Sequence, residues 1–261
     1  MTVFKHELSR GRTSFAVWTV CVALLLSACV CLFPEMKGEM ENVSDIFSSM
    51  GSFTAAFGMD RLDFGTLLGY YSIECGNVIG LGGAFFACLT ASVILSKEEK
   101  DGTAEFLLTH PISRRSIVTQ KLMAVFAQIT GLNAIVFLAS LASMRIVGEE
   151  IPFKEVILIH LAYYLMQLEL GGIAFGISAA SKRGSMGFGL GLAGLAYCLN
   201  LIANIAENVR FLKYFTPFAF CEGADIINNL ALETEYLIPG AIMCLLGIAA
   251  AYFIYLKKDI A

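Results

Sequence analysis

Apolar residues gather into long uncharged runs separated by short polar stretches. Five runs contain no Asp, Glu, Lys or Arg: Phe15 to Phe33, Cys75 to Ser96, Leu122 to Met144, Gly184 to Ala206 and Tyr236 to Leu256. A sixth, Val156 to Ser181, is interrupted only by Glu169 and has His160 near its start. Each is about as long as the ~20 residues a helix needs to cross a hydrocarbon core of ~30 Å. The expected fold is an all-α integral membrane protein of six transmembrane helices, a single transmembrane domain over residues 1–261, with spans about 15–33, 70–96, 122–144, 156–181, 184–206 and 236–256. The polar residues left over are too scattered to build a sizeable soluble domain.

Polar segments refine this picture. Residues 1–14 set Val3, Phe4 and Leu8 among Lys5, His6, Glu7 and Arg10, spacing that suits a short interfacial helix feeding the first span. Residues 34 to about 66 form the longest loop on the other side, acidic from Glu35 to Asp45 and then apolar at Ile46, Phe47, Met50, Phe53 and Phe57. That pattern predicts an amphipathic surface helix, either a plain cover or a gate. The second span can begin as early as Leu67. Between the last two spans, Thr216-Pro217-Phe218 breaks any helix continuing from the fifth, and a short re-entrant segment fits there.

Composition agrees: 57% of residues are hydrophobic and 15% charged, against roughly 25% charged in soluble domains. Soluble-enzyme and nucleic-acid-binding readings drop out. Basic residues precede the first run, as in a signal peptide. That run exceeds the 7–15 residues of a signal core, however, and Pro34-Glu35 is no small-residue cleavage site, so it reads as a retained span. The eight cysteines lie mostly inside spans without zinc-type spacing and read as packing thiols, with Cys221 alone facing water.

Basic residues set the orientation. Lys5, Arg10, Arg12, Lys97, Lys100, Arg114, Arg115, Lys121, Lys182, Arg183, Lys257 and Lys258 fall on one side, and Lys37, Arg61, Arg145, Lys154, Arg210 and Lys213 on the other. Both termini are therefore expected in the cytoplasm. The acids show the opposite bias, so the formal charge of −4 hides a dipolar layout.

No G-x-x-x-x-G-K-[ST] phosphate loop occurs, so ATP hydrolysis could only come from another chain. The literal G-x-G-x-x-G at Gly189, Gly191 and Gly194 lies within a span rather than after a strand. With Gly187-x-x-x-Gly191, Gly76-x-x-x-Gly80 and Gly172-x-x-x-Gly176 it reads as a set of small-residue faces that let helices approach. His160 is the only imidazole at membrane depth, so a multi-histidine metal site or an intramembrane hydrolase is not expected.

Asn77, Gln128, Asn133, Glu169, Asn200 and Asn204 are candidates for lining a pathway, beside Glu74, His160 and Gln167. Polar groups at membrane depth are costly and usually face a cavity or a partner. For each amide the alternative is an interhelical hydrogen bond worth ~0.6 kcal/mol.

The most distinctive polar segment runs from Lys97 to Lys121. Thr103 to His110 is amphipathic, Pro111 ends it, and Ser113 is a suitable N-cap for the next helix. The string Glu98-Glu-Lys-Asp-Gly102-Thr103-Ala104-Glu105-Phe106-Leu107-Leu108, then Pro111-Ile-Ser-Arg114, resembles the first cytoplasmic loop of type-two ABC exporter permeases, whose pattern is E-x-x-x-G-T-x-E-x-L-L followed by P-[IV]-S-R. Phe4-Lys-His-Glu-Leu8 leading into Trp18-Thr19, Phe215-Thr-Pro-Phe218 with Ala224-Asp-Ile226, and the closing Tyr255 to Ile260 are similar to further family segments. Ala104 departs conservatively from the family's common Leu.

The resemblance implies a permease subunit of an ABC transporter, exporting a substrate with ATP hydrolysed by a separate P-loop ATPase subunit. It implies an N-terminal elbow helix, a cytoplasmic coupling helix and a second permease subunit. Gly102, Thr103, Glu105, Phe106, Leu107, Leu108, Pro111 and Arg114 would then serve the ATPase contact, with Glu105 and Arg114 as polar contacts. The chain is not expected to be an enzyme or to hold a cofactor; ATP and magnesium would sit on the partner ATPase. Two other readings stay open: an ATP-independent carrier or channel using Glu169 and Glu74, and a non-transporting membrane anchor or sensor for an ATPase. Nothing in the spans selects a substrate.

Overall fold

The computed structural model describes residues 2–49, 51–56, 59–63, 65–109, 111–181 and 184–258, and their side chains apart from those of residues 38–49, 52, 53, 60, 106, 108, 109 and 207. The regular elements among them are all helical: α1 (Thr2–Ser49), α2 (Ser52–Ala56), α3 (Leu67–Cys75), a π-helical segment (Gly76–Gly82), α4 (Gly83–Val93), α5 (Lys97–Lys100), α6 (Ala104–Thr109), α7 (Arg114–Val147), α8 (Phe153–Ala180), α9 (Met186–Ile205), α10 (Gly223–Asn229) and α11 (Thr234–Lys257). Six stretches are long and apolar enough to cross a membrane: Thr2–Lys37, Leu67–Val93, Arg114–Val147, Phe153–Ala180, Met186–Ile205 and Thr234–Lys257.

Local chemistry sets the ends. Ser113 accepts a hydrogen bond from the Ser116 amide and starts α7, and Gly148 closes that helix at φ 80, a left-handed conformation that favours glycine. Thr66 and Ser185 cap α3 and α9 in the same way as Ser113.

The first span differs from the sequence expectation. No break separates residues 2–14 from it: α1 runs unbroken from Thr2 past Pro34 to Ser49, so a separate elbow is not formed. Pro34 has no amide to give to Val30, which removes one rung of the ladder, and the helix continues on the others. The first part of the anticipated loop of residues 34–66, up to Ser49, is therefore an extension of α1. The side chains of Ile46, Phe47 and Phe53, together with Met50 and Phe57, lie outside the described set.

α8 is the central column. It packs against α4, α7 and α11, while α1 lies along α7 and α9 lies along α4. Glycines allow the closest approach, between α8 and α11. A Cβ on Gly176 would fall 2.6 Å from the Gly247 carbonyl oxygen, and one on Gly247 would fall 2.7 Å from that of Gly172. The π segment packs on Tyr163, with a Gly80 Cβ placed 3.0 Å from the ring. Its Ile79 carbonyl accepts from Gln167 Nε2 at 3.3 Å, and Gln167 Oε1 accepts from Asn133 at 2.7 Å. Local widening of this kind redirects a carbonyl toward a neighbouring side chain. Val17, Leu24 and Leu25 on α1, Leu195 and Ile202 on α9 and Leu245 and Leu246 on α11 are exposed, an outward apolar surface suited to lipid.

Candidate functional site

Both ends of the described chain meet the 97–113 loop at one end of the bundle, and charge holds them there. Lys97 donates to Glu7 of α1, whose carboxylate is buried. Glu98 receives Lys121 of α7, with its two oxygens 2.5 and 2.6 Å from Nζ. Glu99 lies 2.6 Å from Lys258 Nζ just beyond α11, and Asp101 lies 2.6 Å from Arg10 Nη2 of α1. Four charges within five consecutive residues thus reach three helices.

Lys121 is the centre of this clamp. Its side chain has no solvent exposure, its ammonium donates to the Ile94 carbonyl at 2.5 Å, and Glu7 Oε1 lies 3.5 Å away as a second carboxylate. A buried cation is tolerated only when its hydrogen-bonding positions are filled, and here carboxylate and carbonyl oxygens fill them. The outer Arg10–Asp101 pair is more exposed; the guanidinium holds the Asp101 carboxyl below its ordinary range.

Beyond the clamp the chain turns outward. Gly102 adopts φ 67, which reverses the backbone into α6. In α6, Ala104 is buried and Leu107 half-buried against the bundle, and Glu105 is exposed. The side chains of Phe106 and Leu108, and His110, lie outside the described residues. Thr103, Leu107 and Ile112 face Thr2, Val3, His6 and Arg10 of α1 across a cleft of about 380 Å³. Pro111 is exposed after the helix. Arg114 points elsewhere: its guanidinium donates to the carbonyls of Lys258 at 2.7 Å and Leu256 at 3.4 Å, satisfying the open end of α11.

The polar residues of the spans separate into distinct places. Asn133 is spent on Gln167 and Gln128 is buried beside Gly11. Glu169 is buried where a Cβ on Gly240 would collide with it, and its Oε2 has no hydrogen-bond partner among the described residues. His160 Nε2 and Tyr71 Oη share a hydrogen bond of 2.6 Å. At the end of the bundle away from the clamp, Asn200 and Asn204 both donate to Glu222. There Asn77, Asn200 and Glu222 line one small chamber of about 60 Å³.

Cys221 lines this chamber and is buried rather than facing water, because Thr216 to Cys221 folds back against α8 and Tyr163 donates to the Cys221 carbonyl at 3.2 Å. Burial pushes the thiol well above its ordinary range.

Sequence reading missed Glu222, Glu7 and Lys121 as buried ionic centres. The five consecutive charges of mixed sign, Lys97-Glu-Glu-Lys-Asp101, were the available signal for the clamp. For Glu222 no local pattern marks a partner.

Comparison with curated proteins finds no match. A family model described as ABC-2 family transporter protein matches residues 1–260. Six apolar spans and a match over nearly the whole length agree, and the chain belongs to the ABC-2 transporter family, as a multi-pass membrane permease subunit.

Proposed function

We propose that this subunit exports a substrate across the cell membrane, with both termini cytoplasmic, driven by ATP hydrolysis on a separate P-loop ATPase and completed by a second permease subunit. ATP and magnesium would bind that ATPase. The observation that supports this reading most strongly is the clamp. Four loop charges pair with α1, α7 and the end of α11, and α6 directly after them keeps Glu105 in solvent. A force applied to Gly102 through Thr109 by a docked subunit would pass along these short ionic contacts into three helices. Ala104 is buried and Leu107 half-buried, so α6 keeps one side on the bundle.

The pathway assignment is narrower than the set of polar residues in the spans. Asn77 and Asn200 share a chamber, whereas Asn133 and Gln128 serve helix contacts. We place the polar part of the route beside the π segment and α9.

Co-expression of the tagged subunit with P-loop ATPases of the same cell tests this. A specific ATPase is expected to co-purify, and Glu105→Arg or deletion of residues 102–109 is expected to abolish the interaction. Retention after the deletion would overturn the coupling role, and transport by reconstituted subunit without ATPase or ATP would overturn the energy source.

A further inference from the structure

The end of the bundle away from the clamp holds a second cleft that the coupling role leaves unused. It has a volume of about 310 Å³, and Arg61, Asn204, Arg210, Lys213, Asp225 and Glu233 line it. Lys213 is 7% exposed, and its ammonium lies over the Tyr236 ring at 5.9 Å with no hydrogen bond or ion pair among the described residues. No ion pair within 4.0 Å holds Arg210 among the described residues either, and Glu233 acts on both cations only at longer range. Arg61, by contrast, is engaged by Asp225 at 2.6 Å and Glu222 at 3.5 Å. Asn204 donates to Glu222 and to the Ala56 carbonyl, which leaves its buried Oδ1 without a donor. A buried ammonium without a directly bonded anion is costly, so the cleft offers cationic donors without hydrogen-bond partners and a free acceptor side by side. With Glu222 counted, three cations face three carboxylates; Asp225 and Glu222 hold Arg61, and Lys213 and Arg210 face Glu233 alone, a local surplus that matches one negative charge.

Location narrows the ligand. Lys213 and Arg210 belong to the 3-10 turns Glu207–Phe215, which turn Phe211 and Phe215 outward. The ends of α9 and α11 expose Ile202, Ile205 and Ile238 beside them. The lipid-facing apolar surface therefore stops where the cationic cleft begins, at the level of head groups.

We propose that this cleft binds the singly charged phosphodiester of a membrane phospholipid. Lys213 and Arg210 hold the phosphate oxygens, Asn204 Oδ1 accepts from a head-group hydroxyl or ammonium, and the acyl chains lie over Phe211 and Phe215.

The test uses the full chain in neutral detergent, titrated with short-chain phosphatidylglycerol and followed by thermal unfolding. Saturable stabilisation is expected. Arg210→Gln should raise the half-saturating lipid concentration roughly fivefold, the effect of one cation near a lipid surface. Lys213→Gln should raise it at least as much. Lys213→Arg should preserve binding, and Lys154→Gln, an exposed cation on the same end, should leave it unchanged. If Lys213→Gln does not fold, Arg210→Gln and Lys213→Arg still decide. Equal affinity in Arg210→Gln and wild type would overturn the site. Equal stabilisation by inorganic phosphate or glycerol phosphate at the same concentration would overturn the lipid assignment in favour of a soluble anion.

Discussion

Lys121 Nζ lies 2.5 Å from Glu98 Oε1, so the fully buried ammonium of α7 is neutralised by the loop that precedes its own helix. Removing it leaves the Glu98 carboxylate without its cation, and Glu7 with Lys97 alone. Lys121→Met is expected to destabilise the subunit by about 3 kcal/mol, the usual cost of breaking a buried pair on one side. Adding Glu98→Gln should recover part of that loss. Thermal unfolding in detergent measures both; strictly additive effects of the two substitutions would show that the pair is not coupled.

Glycine positions on the helices should separate by what surrounds them. Gly176→Ala places a methyl against the Gly247 backbone and should cost about 1–3 kcal/mol. Gly191 has open space around it, so Gly191→Ala should leave the isolated subunit unchanged or stabilise it by up to about 1 kcal/mol. A large loss at Gly191 in the isolated subunit would contradict the helix arrangement.

The outer pair of the clamp predicts a pH dependence. Arg10 lowers the Asp101 carboxyl, so the contribution of the pair is fully present above the ordinary carboxylate range and is lost as pH falls through the lowered value. Mobility of a spin label at Thr103 should stay constant from neutral pH down to about pH 5 and rise only below the usual Asp range near ~3.9. Asp101→Asn should raise it at neutral pH to the level that the wild type reaches only in acid, and should abolish the transition. A transition between pH 6 and 8 would mean that another group controls the loop.

Glu169 is buried without a hydrogen-bond partner for Oε2, and no cation lies within 4.0 Å among the described residues. Glu169→Gln keeps the shape and removes the carboxyl, so unfolding temperature should hold or rise while substrate-dependent activity changes. A fall equivalent to about 3 kcal/mol would point instead to a structural ion pair.

The spans were legible because membrane burial writes itself into every residue: the six runs of the sequence reappear in the six long helices. Gly172 and Gly176 did mark a close contact, with α11, whereas Gly187 and Gly191 face outward, because spacing reports a small face and not what lies opposite. Ser113 acted as the cap its sequence position suggested. The end of the uncharged run at Phe33 did not mark the end of the helix, since α1 continues through Pro34 and the acidic residues to Ser49. The clamp was only half legible. The loop stood out in the sequence as polar and amphipathic, but the pairing of Glu7 with Lys97, 90 positions apart in the chain, depends on α1 and α7 lying side by side. Likewise Asn200 and Asn204 could be recognised as polar residues of a span, and their shared acceptor Glu222 could not.

The central claim is that α6 is where the ATPase pushes. A photo-cross-linking residue in place of Glu105, in the full subunit co-expressed with its ATPase, tests this most directly. The account predicts a light-dependent adduct containing the P-loop ATPase, absent when the same residue replaces Lys154 at the other end of the bundle. An ATPase adduct from position 154 and none from position 105 would contradict it.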